Sequence, residues 1–420
     1  MTICSTKKIA SRATLTALLA AGVVGMMSTS ALAQGFGGHP TMEPSVGHAS
    51  GSKGNGSAAS KKKLGPEYIV VDQSGRQGYT SIQKAIDDVR YGGVVMVLPG
   101  DYKENIVLSK PVSLQGDRGP GMRVRILPQD SAKPCLTYAP TNETSHALVS
   151  NITFDTRDMS TGRVFTPADS ELAPGSLGND DSFNKTANMA KADAGSNVAC
   201  ISITGGVFTM KDSTVDGNRH HTGPLVQISS GSVTLQKNTI TDGQGIGVLV
   251  SQKHSLWDRA FLVDNNITNN LDSGIELMSD STMLATGNLV HRNYTGIKYN
   301  GQGDATIIGN KVLNNRGNGI MLDRRAKQVI MRLNQIWENK QNGIKIYASG
   351  GLIESNDIRA PVGFFEIDQR DAGLLNLKIE NDVGVNRGTK TAKKKKSWRS
   401  KKIKDNLNDR NSFDSDDSRR

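Results

Sequence analysis

The chain has 420 residues, 36% hydrophobic and only 5% aromatic, with 45 glycines and a formal net charge of +11. So few aromatics and so many glycines argue against a globular α/β enzyme built on one large core, and suit many short strands joined by tight turns. Residues 1–33 carry +3, residues 34–66 carry +3 and residues 387–420 carry +8, which leaves −3 for residues 67–386 and excludes a folded body that is basic throughout.

Lys7, Lys8 and Arg12 precede the apolar run "LTALLAAGVVGMM", and Ala31 to Ala33 offer a small-residue cleavage site before Gln34. That pattern predicts a secretory signal peptide over 1–33, too short to span a bilayer, and hence export to the periplasm or the cell exterior. No other stretch is long and apolar enough to cross a membrane. Residues 34–66, with "HASGSKGNGSAASKKK", predict a flexible Gly/Ser/Lys linker.

The folded part is expected over 67–386. It opens with a strand near Tyr68 and then "YTSIQKAIDDV", where Thr80 or Ser81 can cap a short helix with Ile82, Ala85, Ile86 and Val89 on one side. Such a helix would cover the open end of a stacked-strand structure. Cys4 would leave with the signal peptide. Cys135 in "CLTYAP" and Cys200 in "CISITG" share one phase of a coil, and residues 155–197 between them have no periodicity and form an insertion. If the insertion loops out, the two cysteines stack within disulfide reach, and an exported setting would permit oxidation. Two separate reduced thiols are the alternative.

From Asn238 the sequence repeats. "NTI" at Asn238 is followed by "NNI" at Asn265, "NLV" at Asn288, "NKV" at Asn310, "NQI" at Asn334 and "NDI" at Asn356, at steps of 22 to 27 residues. In phase with them come Gly247-Val248, Gly274-Ile275, Gly296-Ile297, Gly319-Ile320 and Gly343-Ile344, each opening an alternating strand such as "GIEL" or "GIML". A second short strand precedes each asparagine. This period, with two or three strands per turn, marks a parallel β-solenoid. Val248, Ile275, Ile297, Ile320 and Ile344 should stack inward. Asparagine tolerates left-handed turn geometry, and stacked asparagines can bond from coil to coil, so this column is structural.

Two features resemble a known family. The opening segment, Tyr68 to Asp117, with "PGDYKENI" at Pro99 to Ile106, is similar to the start of pectin methylesterases, and the repeat resembles the wider pectate lyase-like superfamily. The resemblance implies an all-β fold, a right-handed parallel β-helix, and an acidic polysaccharide as partner. It does not extend to a catalytic signature. The phenylalanine-glycine-asparagine-alanine motif of the esterases and the aspartate-proline-histidine motif of alginate epimerases are absent. Calcium is implied as a cofactor only by analogy, because the calcium-binding aspartates of pectate lyases have no assignable counterpart.

Two constellations could carry chemistry. "VDGNRHHTGP" places Asp216, Arg219, His220 and His221 in one turn, beside the insertion on one side and Asp242 and Gln244 on the other. Imidazoles can act as acid or base, a carboxylate can orient one, and arginine can grip a substrate carboxylate. An exposed polar turn is the competing interpretation, and no third ligand accompanies the histidines to make a metal site. The second constellation is the outward column Leu249, Glu276, Lys298, Met321 and Lys345, with Ser251, Met278, Asn300, Asp323 and Tyr347 two residues further along each strand. Glu276 and Asp323, two coils apart, approach the separation of an inverting glycosidase pair. A lysine of lowered pKa could serve a lyase by removing the proton beside a uronate carboxylate. A solvated face with cross-strand ion pairs is the competing interpretation.

Residues 387–420, with "KKKKSWRSKK", predict a basic disordered tail able to meet an anionic cell surface or acidic polysaccharide, and export argues against nucleic acid. Two functions remain: an exported lyase or hydrolase of acidic polysaccharide, and a non-catalytic solenoid that binds or organises surface polysaccharide.

Overall fold

The computed structural model describes residues 65–119, 122–157, 198–252, 257–323, 326, 328–369 and 373–380. The expected signal peptide, nearly all of the linker, all but the first three residues of the insertion and the basic tail lie outside them. Among the described residues no helix is long and apolar enough to cross a membrane.

Among the described residues every strand pairs in parallel with the strand one coil away, giving three stacks. The first runs from Ile106–Leu108 to Ile344–Ile346 and Ile367–Asp368, the second from Tyr68–Val71 to Ala348–Glu354 and Gly373–Glu380, and the third from Gly100–Lys103 to Asp357–Ile358. The first two stacks belong to one 20-stranded sheet, and the third is a sheet of 10. In the two coils after the insertion the first and second strands fuse into Ile201–Lys211 and Val226–Gln236. Gly206 and Gly231 make their corners with positive φ, and a side chain on Gly231 would meet the Gly206 carbonyl at 2.5 Å.

The predicted inward stack forms in register: Val248 pairs with Ile275, Ile275 with Ile297, Ile297 with Ile320 and Ile320 with Ile344, and all five are fully buried. Burial of each such side chain contributes about 1.5–3 kcal/mol. The third stack supplies the facing wall through Val215, Ile240, Ile267, Val290, Val312, Ile336 and Ile358, so a continuous core runs along the solenoid axis.

The asparagine column is a hydrogen-bonded ladder. Nδ2 of Asn238, Asn265, Asn288, Asn310 and Asn334 each donates to Oδ1 of the next, at 3.1, 3.0, 2.9, 3.1 and 2.8 Å. The same oxygens accept the backbone N–H of the preceding asparagine. The left-handed geometry, however, belongs to the residue before each asparagine: Lys237, Asp264, Gly287, Gly309, Leu333 and Ser355 all have φ between 53° and 66°. This corrects the sequence expectation. The corner needs one left-handed residue, and the asparagine after it turns its amide into the stack. A second ladder, five residues on, was not foreseen: Asn270, Asn293, Asn315 and Asn339 bond in the same way at 2.9, 3.3 and 2.9 Å.

At the amino-terminal end the helix Ile82–Asp88 covers the first coil with Ile82, Ala85, Ile86 and Val89 inward. Ser81 is its N-cap, accepting from Lys84 N at 3.2 Å. The Glu104 carboxylate completes the cap, accepting from the N–H groups of Ile82 and Gln83 and from the Ser81 hydroxyl, each at 2.9 Å. Asn105 ties the next turn through Asp130 and Pro134, and Tyr102 is buried with its hydroxyl on the Leu98 carbonyl. Cys135 and Cys200 occupy adjacent coils with Cα atoms 4.8 Å apart and their sulfurs bonded, across a sequence separation of 65.

Candidate functional site

The outward side of the first stack is set by the strand register. Leu249, Glu276, Lys298, Met321, Lys345 and Asp368 form one column, each paired with its neighbour one coil away. Met278 and Asn300 pair in the adjacent column, which continues through Asp323 and Tyr347. An alternating strand places such residues outward and ordinarily in water. Here some are withdrawn from it, Glu276 at 3% exposed, Asp323 at 8% and Tyr347 at 6%, while Leu249, Met278, Lys298, Asn300 and Lys345 are half-buried.

Glu276 meets the Lys298 ammonium at 3.0 Å and accepts weakly from the Ser273 hydroxyl at 3.4 Å. Burial pushes the Glu276 carboxyl above its ordinary pKa, against the pull of Lys298, and Asp272 raises it further. Burial alone would lower Lys298, but Glu276, with Asp272 and Asp323, raises it on balance. The condition for a lysine base, a lowered pKa, is therefore not met at Lys298, while Glu276 is tuned in the direction a general acid or base requires. One coil beyond Met321, the Lys345 ammonium lies 4.6 Å from the centre of the Tyr347 ring. Withdrawing a charged pair on the outer side of a sheet costs desolvation that a solvated pair would avoid, and such expense concentrates at functional sites.

The turn after Asp216 looks different. Asp216 ends a third-stack strand between Asp155 and Thr241, and its carboxylate accepts from Asn218 N at 2.9 Å. Burial raises its pKa, helped by Asp242 and Asp155. Arg219 has a side chain 83% exposed and touches Asp242 at 3.5 Å, and His220 is exposed. His221 is buried, with Nε2 on the Pro224 carbonyl at 3.2 Å, and burial lowers its pKa. The two imidazoles thus face different surroundings, and the hydrogen bonds of Asp216 and His221 run to backbone groups. Sequence reasoning passed over Asp155, whose buried carboxylate meets Arg157 at 2.6 Å and Arg125 at 3.6 Å and hydrogen-bonds Asn218. The signal was present in "TFD" at 153–155 and "TVD" at 214–216, which stack in register. Among the described residues no group of three or more His, Cys, Asp or Glu is placed to hold a metal ion.

Residues 224–382 match the family described as right handed beta helix region. The fold is that of a right-handed parallel β-helix. No curated protein matches the sequence significantly. Among solved structures, the β-helix resembles ORF18 of Geobacillus virus E2 at 12% identity and a TM-score of 0.38, covering 75% of this chain and 62% of that one. The A-module of the Azotobacter vinelandii mannuronan C-5 epimerase AlgE4 matches at 15% identity and a TM-score of 0.44, over 76% of this chain and 92% of the module. The periplasmic alginate epimerase AlgG matches at 11% identity and a TM-score of 0.31, over 76% of this chain and 86% of that chain. This chain spans less than two thirds of the viral protein, and no residue role in the β-helix follows from these likenesses.

Proposed function

We propose that this β-helix protein is exported and acts on an acidic polysaccharide laid along the outward side of its first stack. The observation that carries the proposal is the Glu276–Lys298 pair, joined at 3.0 Å, with Glu276 buried and Lys298 half-buried on the face where a solenoid ordinarily presents solvated side chains. Export rests on the amino-terminal pattern from Lys7 to Ala33.

The chemistry these groups support is proton removal from the carbon beside a uronate carboxylate. Glu276, with its raised pKa, takes the proton, and the Lys298 ammonium offsets charge that develops on the substrate carboxylate. Expulsion of the neighbouring glycosidic oxygen, protonated as it leaves, then gives a carbon–carbon double bond and a new chain end. Hydrolysis is the second reading, favoured by the buried Asp323 two coils from Glu276, which would activate water while Glu276 protonates the leaving oxygen.

The test is incubation of the purified protein with uronate-containing polysaccharides in deuterated water, following unsaturated products, reducing ends and deuterium beside the carboxylate. Unsaturated ends support elimination, and saturated reducing ends support hydrolysis. Glu276→Gln should abolish turnover, and His220→Ala/His221→Ala should retain it. Turnover that survives Glu276→Gln, with an unchanged melting temperature, refutes this site. Binding without turnover on any polymer leaves the non-catalytic function.

A further inference from the structure

The outer side of the second stack is apolar, although an alternating strand facing water is ordinarily polar there. Phe261 pairs with Leu284, Leu284 with Thr306, Thr306 with Ile330 and Ile330 with Leu352, forming one outward column. Val263 and Ile308 belong to the column beside it, and Leu333 follows at the corner. Their inward neighbours are core, so strands such as "AFLV" and "VIM" read apolar on both sides, the composition of strands covered on both faces. Phe261, Leu284, Ile308 and Leu352 are nevertheless only half-buried, Ile330 is 42% exposed and Leu333 64%.

Charge and the chain ends indicate what meets this band. The second stack begins at Tyr68–Val71 and ends at Gly373–Glu380. A basic stretch adjoins each end in sequence: Lys61, Lys62 and Lys63 before the first strand, and ten Lys or Arg with no Asp or Glu over 387–404, Trp398 among them. The band supplies no such attraction itself, because Arg332 is paired with Glu354, and Asp264 and Asp304 are exposed at its edges. A second copy of the chain would bring like-charged segments together, and a soluble acidic polymer would leave the apolar column in water. A surface with anionic headgroups over hydrocarbon satisfies both the charge and the apolar side chains.

We propose that the outward side of the second stack docks on an anionic lipid leaflet, with the column from Phe261 to Leu352 against the interface and the flanking basic segments on lipid phosphates. The first stack lies on another side of the coil, so docking leaves it open, and the proposal does not depend on which polymer or reaction that side serves.

Co-sedimentation of the exported chain, from Gln34, with vesicles of phosphatidylcholine with and without phosphatidylglycerol tests it. Binding should require phosphatidylglycerol. It should weaken by about tenfold or more in Lys393→Gln/Lys394→Gln/Lys395→Gln/Lys396→Gln and by about fivefold in Ile330→Gln/Leu352→Gln, with melting temperatures held. A second measurement keeps the fold otherwise intact: an environment-sensitive dye on Ile330→Cys should shift to the blue when these vesicles are added, and the same dye on Lys311→Cys, exposed on the third stack, should not. Cys135 and Cys200, bonded to each other, leave the introduced thiol as the labelling site. Absence of binding to phosphatidylglycerol vesicles overturns the proposal. Binding that depends on the lysines alone, with no loss in Ile330→Gln/Leu352→Gln and no dye shift at 330, removes the band from the contact and overturns it as well. A chain that is dimeric without vesicles and monomeric in Ile330→Gln/Leu352→Gln assigns the band to a second copy instead.

Discussion

Replacing Asn310 with alanine probes the coil-to-coil ladder where it is best formed. Asn310 is fully buried, and its Oδ1 accepts both the backbone N–H and the Nδ2 of Asn288 at 2.9 Å. Its own Nδ2 donates to the Ala285 carbonyl at 2.9 Å and to Asn334 Oδ1 at 3.1 Å. Alanine would strand two donors of Asn288 in a dry interior, at about 1–3 kcal/mol each, so a loss of about 2–6 kcal/mol is expected. Asn310→Asp keeps the acceptor for Asn288 but turns a carboxylate oxygen toward Ala285 O and Asn334 Oδ1. It should be at least as damaging at neutral pH and recover in acid, where a proton restores a donor. Asn314→Gly is the control, because that residue is exposed with φ 54° and glycine adopts the conformation freely; its effect should stay within about 0.5 kcal/mol. Urea denaturation followed by circular dichroism gives the overall loss, and hydrogen exchange at the Asn288 amide gives the local one. A wild-type midpoint together with wild-type exchange at Asn288 in the alanine variant would falsify the ladder as a source of stability.

Two further outcomes concern the third stack and the insertion. Because burial raises the folded-state pKa of Asp216, the folded protein holds that proton at higher pH than the unfolded chain, so the destabilisation is absent below the unfolded value of about 3.9 and grows as pH rises toward the folded one. Asp216→Asn, which keeps an acceptor for Asn218 N, should melt higher than wild type at pH 7 and equally at pH 3; a variant that melts lower at pH 7 contradicts the assigned burial. Cys135 and Cys200 should appear as one linked peptide in a non-reduced digest, and reduction should lower stability by at most about 4 kcal/mol for the loop they close. Two alkylatable thiols in the native protein are the contrary result.

The coil was legible because its determinants recur in phase. The glycine and isoleucine of "GIEL", "GIKY" and "GIML" occupy the same place in every turn, and period two fixes which side is buried. The corner was only half legible. Asparagine chemistry pointed to the turn, but the left-handed residue is its predecessor, and Leu333 in that position carries no signature of a turn former. The second ladder, at Asn270, Asn293, Asn315 and Asn339, shared the visible period and was hidden only by the stronger first column. The candidate site was less legible for a physical reason. Alternation assigns Glu276 and Asp323 to the outside, and nothing in a single strand reports that the outside is withdrawn from water. In the irregular turn after Asp216 no periodicity fixes side-chain direction, so His220 and His221 read alike in sequence and lie in opposite environments.

The family-like stretch at Pro99–Ile106 shows where function can reside in such a chain. Tyr102 is core, Glu104 caps the helix, Asn105 holds a turn and Ile106 begins the inward stack, so its most distinctive residues serve folding of the capped end. A resemblance carried by such residues transfers architecture and leaves chemistry open. The same logic applies along the β-helix: inward positions are fixed by stacking, corner asparagines by their ladders and the glycines before each first strand by close approach to the next coil, as at Gly296, where a side chain would meet the Gly319 carbonyl at 2.5 Å. Only the outward columns are free of these demands. In the first stack that freedom has produced a column in which the buried Glu276 carboxylate is paired to the Lys298 ammonium one coil away, an order that stacking does not require.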